Sequence, residues 1–143
     1  AKVATYATAG EGGERRRAED GARELTFKAE GWRYLDVYHG SNPFVGRELI
    51  WHDEMLVWAM TYYGRVVDGV AAGEVYAFLK EALRLVEPSR PFRGPASYEL
   101  GEWRYAGTSV GDVDRFSGSE EISLSGRLVY SLDYLGGTLS GAG

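Results

Sequence analysis

One stretch of the chain, Phe44 to Gly64 (FVGRELIWHDEMLVWAMTYYG), occurs twice. Shifted by 72 positions, Phe116 to Gly136 (FSGSEEISLSGRLVYSLDYLG) falls on it in register. Phe44 then meets Phe116, Gly46 meets Gly118, Glu48 meets Glu120 and Ile50 meets Ile122. Leu56, Val57, Trp58, Met60, Tyr62 and Gly64 meet Leu128, Val129, Tyr130, Leu132, Tyr134 and Gly136. A Trp-Arg-Tyr tripeptide precedes each copy, Trp32 to Tyr34 and Trp103 to Tyr105, at a spacing of 71 that one residue of loop slippage explains. Self-similarity of this kind speaks to architecture before it speaks to chemistry.

At 143 residues the chain has the length of one domain, expected over residues 1–143, and can bury a sizeable core without a staple. Aromatic residues at 13% and 20 glycines together point to many short strands joined by tight turns. The absence of cysteine rules out a disulfide scaffold, thiolate metal sites and a cysteine nucleophile. It fits a reducing compartment, and the expected location is cytoplasmic. No apolar run approaches the ~20 residues that span a bilayer, so no membrane partner is expected. A net charge of -5 argues against direct nucleic-acid binding, which needs a basic face. The chain opens at Ala1 without a methionine, in keeping with a processed or trimmed start.

Along the chain, Ala1 to Ala9 reads as the tail of a helix or an edge strand, and Gly10 to Ala22 as a mobile charged loop. The basic run Arg15-Arg16-Arg17 lies in that loop beside Glu14, Glu19 and Asp20 and reads as solvated. Leu25 to Ala29, Trp32 to Tyr38, Val45 to Trp51 and Met55 to Tyr63 alternate as strands of an antiparallel meander. Val75, Phe78, Leu79, Ala82, Leu83 and Val86 follow helical spacing and predict one helix over 74–86, stopped by Pro88 and Pro91. Tyr98 to Ala106, Glu120 to Leu124 and Leu128 to Tyr134 repeat the strands, with Ser125-Gly126 as a hairpin turn. The expected fold is α+β: a strongly curved antiparallel sheet of about seven or eight strands, in repeated halves of roughly 32–64 and 103–136, with one main helix packed on it.

Pleat alternation places Leu56, Trp58, Met60 and Tyr62 on one face, with Leu128, Tyr130, Leu132 and Tyr134 equivalent, as the core against the helix. Glu48 and Glu120 fall on the same face as Ile50 and Ile122, where an unpartnered carboxylate is costly. One reading makes each a structural lock to an Arg or to Tyr hydroxyls; the other puts one or both in a cleft. Asp36 and Tyr38 extend an aromatic and acidic stripe beside Glu48. With Tyr63 or Arg93 at the rim, these groups suit a small cationic or polyhydroxyl molecule. The ligand-binding candidates are Asp36, Tyr38, Glu48, Trp58, Tyr63, Arg93 and Glu120. His39 and His52 read as exposed turn residues without a third ligand at zinc spacing, so neither a metal nor another cofactor is expected. No nucleophile elbow is present, and no catalytic residue is assigned.

The motifs YLDVYHG, NPFVGRELIW, VWAMTYYG, FLKEALR, PFRGP, FSGSEEI and VYSLDYLGG run from Tyr34 to Gly137. Through them the chain resembles, over Thr5 to Gly137, the bacterial family catalogued as domain of unknown function 5680. The resemblance implies a domain that stands alone or follows an amino-terminal helix-turn-helix module in transcriptional regulators. Family members usually carry a few residues before the position of Ala1. The resemblance also marks Asp36, Tyr38, Gly46, Glu48, Trp58, Tyr62, Tyr63, Arg93 and Glu120 as motif positions. Ala59 and Thr61 stand where Ser and Asn are more usual.

Three functions follow as expectations. The first is a small-molecule-binding or sensory domain linked to transcriptional regulation. The second is an interaction or dimerisation module, with a homodimer as partner. The third is a cofactor-independent enzyme with Glu48 or Asp36 as base and a tyrosine as acid.

Overall fold

The structure, a computed structural model, describes residues 14–86 and 93–140. Its strands are β1 (Glu14–Arg17), β2 (Arg23–Ala29), β3 (Trp32–Gly40), β4 (Phe44–His52) and β5 (Met55–Val66), then β6 (Ser97–Leu100), β7 (Trp103–Asp112), β8 (Arg115–Leu124) and β9 (Arg127–Thr138). One helix, α1 (Ala72–Leu83), lies between β5 and β6. All neighbours pair antiparallel in a single nine-stranded sheet of order β1-β2-β3-β4-β5-β9-β8-β7-β6. The fold is mostly β, with one helix among the described residues.

Local sequence explains most of the turns. Glu30-Gly31, Asp53-Glu54 and Ser125-Gly126 each place both central residues at positive φ. That backbone matches the twist of the strands it joins, so each hairpin closes in two residues. Within β5, Trp58, Met60, Tyr62, Gly64 and Val66 are buried and alternate with exposed Thr61, Tyr63 and Arg65. Helix α1 buries Val75, Phe78, Leu79 and Ala82 against that face. Phe78 is stacked between Tyr98 and Trp103, with ring centres 5.4 and 5.3 Å away.

The two long hairpins have matching registers. In β4–β5, Gly46 opposes Tyr62, Glu48 opposes Met60 and Ile50 opposes Trp58, and the register shifts after Ile50. In β8–β9, Gly118 opposes Tyr134, Glu120 opposes Leu132 and Ile122 opposes Tyr130, and the register shifts after Ile122. Strands β5 and β9 adjoin at the middle of the sheet, where Tyr62 opposes Tyr134.

Several expectations change. The sheet is open, with β1 and β6 as its two edges, and is not strongly curved. Curling a sheet takes bulges or kinks repeated along its strands, whereas these ladders shift register in only the two hairpins named. Part of the segment expected as a mobile loop is β1, which pairs Arg15 with Leu25 and Arg17 with Arg23. The strand expected over Tyr98 to Ala106 is two strands, β6 and β7, turned at Gly101-Glu102. The β8–β9 bulge turns Leu128 outward, 44% exposed, and leaves Val129 buried in the core place expected for Leu128. The helix spans Ala72–Leu83 rather than 74–86, although Val86 beyond it is still buried. Ala1 to Ala9 and the stops at Pro88 and Pro91 lie outside the described residues. No helix among the described residues is long and apolar enough to cross a membrane.

Phe78 supplies the largest buried side chain of α1 and has aromatic partners on both β6 and β7. Phe78→Ala is expected to cost about 3–5 kcal/mol in urea unfolding. Val110→Ala on the solvent side, where Val110 is 75% exposed, should stay within about 0.5 kcal/mol. Equal costs would mean that α1 is not what closes the core.

Candidate functional site

Strand β3 enters the helix-side face with Tyr34, Asp36 and Tyr38, each set opposite a residue of β4: Ile50, Glu48 and Gly46. Glu48 and Glu120 are both fully buried. The Tyr34 hydroxyl donates to Glu48 Oε1. The corresponding tyrosine of β7, Tyr105, donates to Glu120 Oε2 at 2.6 Å. Glu120 Oε1 accepts two further bonds, from the Tyr130 hydroxyl at 2.7 Å and from Arg93 Nη2 at 2.8 Å. Where β9 carries Tyr130, β5 carries Trp58, which stacks on Phe116 at 5.6 Å.

These contacts form a chain that leads outward. The Arg93 guanidinium sits 5.0 Å from the centre of the Tyr62 ring. The Tyr62 hydroxyl donates to Asp36 Oδ1 at 2.5 Å. It reaches Asp36 across β4 because Gly46 leaves the space: a methyl group there would lie 2.6 Å from both Tyr62 Cζ and the Val37 carbonyl oxygen. Asp36, Tyr62 and Arg93 then line a pocket of about 300 Å³ between α1 and the β2–β5 half of the sheet. Phe44, Tyr76, Leu79 and Leu83 form its apolar wall, Tyr38 stands on the β3 side, and Arg23 and Lys80 complete it. The Gly40-Ser41 end is held in place by the Tyr76 hydroxyl, which donates to the Ser41 carbonyl. Asn42 Oδ1 also accepts from the Val66 amide at 2.9 Å. Two larger depressions, about 560 and 770 Å³, are lined mainly by exposed residues and gather no comparable buried polar groups.

Burial is the main reason the Tyr62 hydroxyl is raised well above its usual value near 10, followed by the Asp36 charge, with Arg93 opposing. Tyr105 is raised by burial and then by the Glu120 charge. Tyr130 is raised for the same two reasons, again opposed by Arg93. All three hydroxyls therefore stay protonated near neutrality and act as donors.

Of the residues expected at a site, Asp36, Tyr38 and Arg93 come together in the pocket. Glu48 and Glu120 lie in the core behind it and do not line it, and neither does Trp58. Tyr63 is 52% exposed on the opposite face, because its parity in β5 is opposite to that of Tyr62. Sequence reasoning passed over Tyr62 as a site residue, although the glycine facing it was a readable signal. Arg23 and Lys80 carry none, since the alternation of β2 starts at Leu25 and Lys80 lies off the helical apolar stripe. His39 is in β3, paired with Asp20 at 3.2 Å, and His52 stacks on Trp32 at 4.2 Å. Among the described residues no cluster of three His, Asp or Glu side chains could hold a metal ion.

Among the described residues these features define a class: an antiparallel sheet roofed by one helix, with a small pocket at their interface. The chain belongs to the family described as Domain of unknown function (DUF5680), whose match spans residues 36–139. Neither the curated proteins nor the solved structures searched give a match.

The raised tyrosines set the response to base. An unfolded chain releases these protons near pH 10, whereas the folded sites hold them. Their stabilisation is full below that value and is lost as pH climbs toward the folded values, by about 1.4 kcal/mol per pH unit for each tyrosine. Urea midpoints should fall across this window, and tyrosinate absorbance should show these three ionising only on unfolding. Ionisation of all 10 tyrosines of the folded chain in one step near pH 10 would contradict the buried network.

Proposed function

We propose that this domain is a small-molecule-binding module whose ligand sits in the pocket under α1. The observation that carries the reading is the convergence of a half-buried carboxylate, a buried phenol and a buried guanidinium on a cavity of about 300 Å³ with an apolar wall. A few placed polar groups in a largely apolar cleft is the usual make-up of a small-molecule site. Binding is favoured over proton transfer because Tyr62 is held protonated, which makes it a good donor and a poor acid near neutrality.

The finer fold reading, one strand unit used twice, supports the same site. Matching registers and the paired Tyr34–Glu48 and Tyr105–Glu120 contacts favour it. On that reading the counterpart of Asp36 is Gly107. There the crossover chain lies over that face: a methyl group on Gly107 would lie 2.9 Å from the Pro95 carbonyl oxygen. One half is covered by its own backbone and the other is left open for a ligand. In a regulator carrying a DNA-binding module elsewhere, occupancy of this pocket would be the signal.

A thermal-shift screen of small metabolites should find a stabiliser, since a ligand at 100 times its Kd adds about 2.7 kcal/mol. Tyr62→Phe and Tyr76→Ala should weaken it about tenfold or more, and Tyr63→Phe on the opposite face should not. A stabiliser indifferent to both pocket variants would place binding elsewhere.

A further inference from the structure

The charges around the pocket specify the ligand more closely than its shape does, and the inference drawn from them rests on the small-molecule reading above. Four ionisable side chains of fixed sign line the cavity: Arg23, Lys80, Arg93 and Asp36. Arg93 is buried and its charge is matched by Glu120 at 2.8 Å. Asp36 accepts the Tyr62 hydroxyl at 2.5 Å. Arg23 and Lys80 are both exposed at the mouth, and among the described residues no ion pair engages either. Two unmatched cations therefore face one carboxylate, so the mouth is locally positive in a chain whose net charge is -5. A cleft of one sign with low-dielectric walls concentrates counter-ions of the other sign.

We infer that the pocket takes a small amphipathic carboxylate. Its apolar body lies against Phe44, Tyr76, Leu79 and Leu83, and its anionic end faces Arg23 and Lys80. The amphipathic shape follows from the lining, which sets the apolar wall of Phe44, Tyr76, Leu79 and Leu83 beside the exposed cations Arg23 and Lys80. This departs from the small cationic or polyhydroxyl molecule expected from the sequence, because Glu48, expected beside Asp36 and Tyr38 in the cleft, is sealed in the core.

The test holds the body constant and changes only the head charge. Phenylacetate, phenylacetamide and phenethylamine are titrated into the protein by calorimetry, with the ring signals of Tyr62 and Tyr76 followed by NMR to locate binding. Phenylacetate is expected to bind about tenfold tighter than the amide, with the amine weakest. Its affinity should fall with added salt, because the cations at the mouth are exposed. The double variant Arg23→Gln/Lys80→Gln, at two surface positions, should bring phenylacetate down to the amide's affinity and leave the amide unchanged. Equal or tighter binding of the amide or amine in the pocket would overturn the carboxylate assignment and leave the small-molecule site standing. No binding of any probe, with the Tyr62 and Tyr76 signals unmoved, would overturn both.

Discussion

A carboxylate with no exposure at all in the middle of a β-sheet is the constraint on which the other features depend. Leaving the Glu120 charge unpaired would cost several kcal/mol, so each of its neighbours must supply a donor. Tyr105 comes from β7, Tyr130 from β9 and Arg93 from the segment after α1. One side chain thus ties together three adjacent strands and the returning crossover. Charge-assisted bonds of this kind are short and directional, which holds Arg93 in one place. Because Arg93 also lies over the Tyr62 ring, the core carboxylate fixes a wall of the pocket without lining it.

Glu48 shows the same principle: Tyr34 reaches it from β3, and Trp58 stands opposite Ile50 as Tyr130 stands opposite Ile122. The Trp58 ring also stacks on Phe116 at 5.6 Å. The polar reach on that side moves outward, to Tyr62 and Asp36. The crossover adds to the difference, since Gly94 passes so close to Tyr105 that a methyl group would lie 2.6 Å from its hydroxyl.

Much of this was legible in the sequence. The strands β3, β4, β5, β8 and β9, the Ser125-Gly126 turn and the apolar stripe of α1 follow from periodicity, because pleat and helix spacing are local properties of the backbone. The burial of Glu48 and Glu120 was legible from their apolar neighbours on one strand face. The edge strand β1 was not, since Arg15 to Arg17 has no alternation and pairs only because β2 offers it an edge. The outward turn of Leu128 was also hidden, because a bulge depends on its partner strand.

Alternation alone sets Asp36 beside Tyr34 and Tyr38, Glu48 beside Ile50, Glu120 beside Ile122 and Tyr62 beside Met60. Each set lies on one face of its own strand, through a period of two that needs no tertiary information. Which of them lines a cavity was decided only by the fold. Pairing order, the route of the crossover and the tilt of α1 determine whether an acid on that face is sealed into the core, as Glu120 is, or left at a cavity, as Asp36 is. Arg23 and Lys80 reach the same mouth from a strand and a helix more than fifty residues apart in the chain. Their meeting is a matter of long-range contact, which no local pattern encodes.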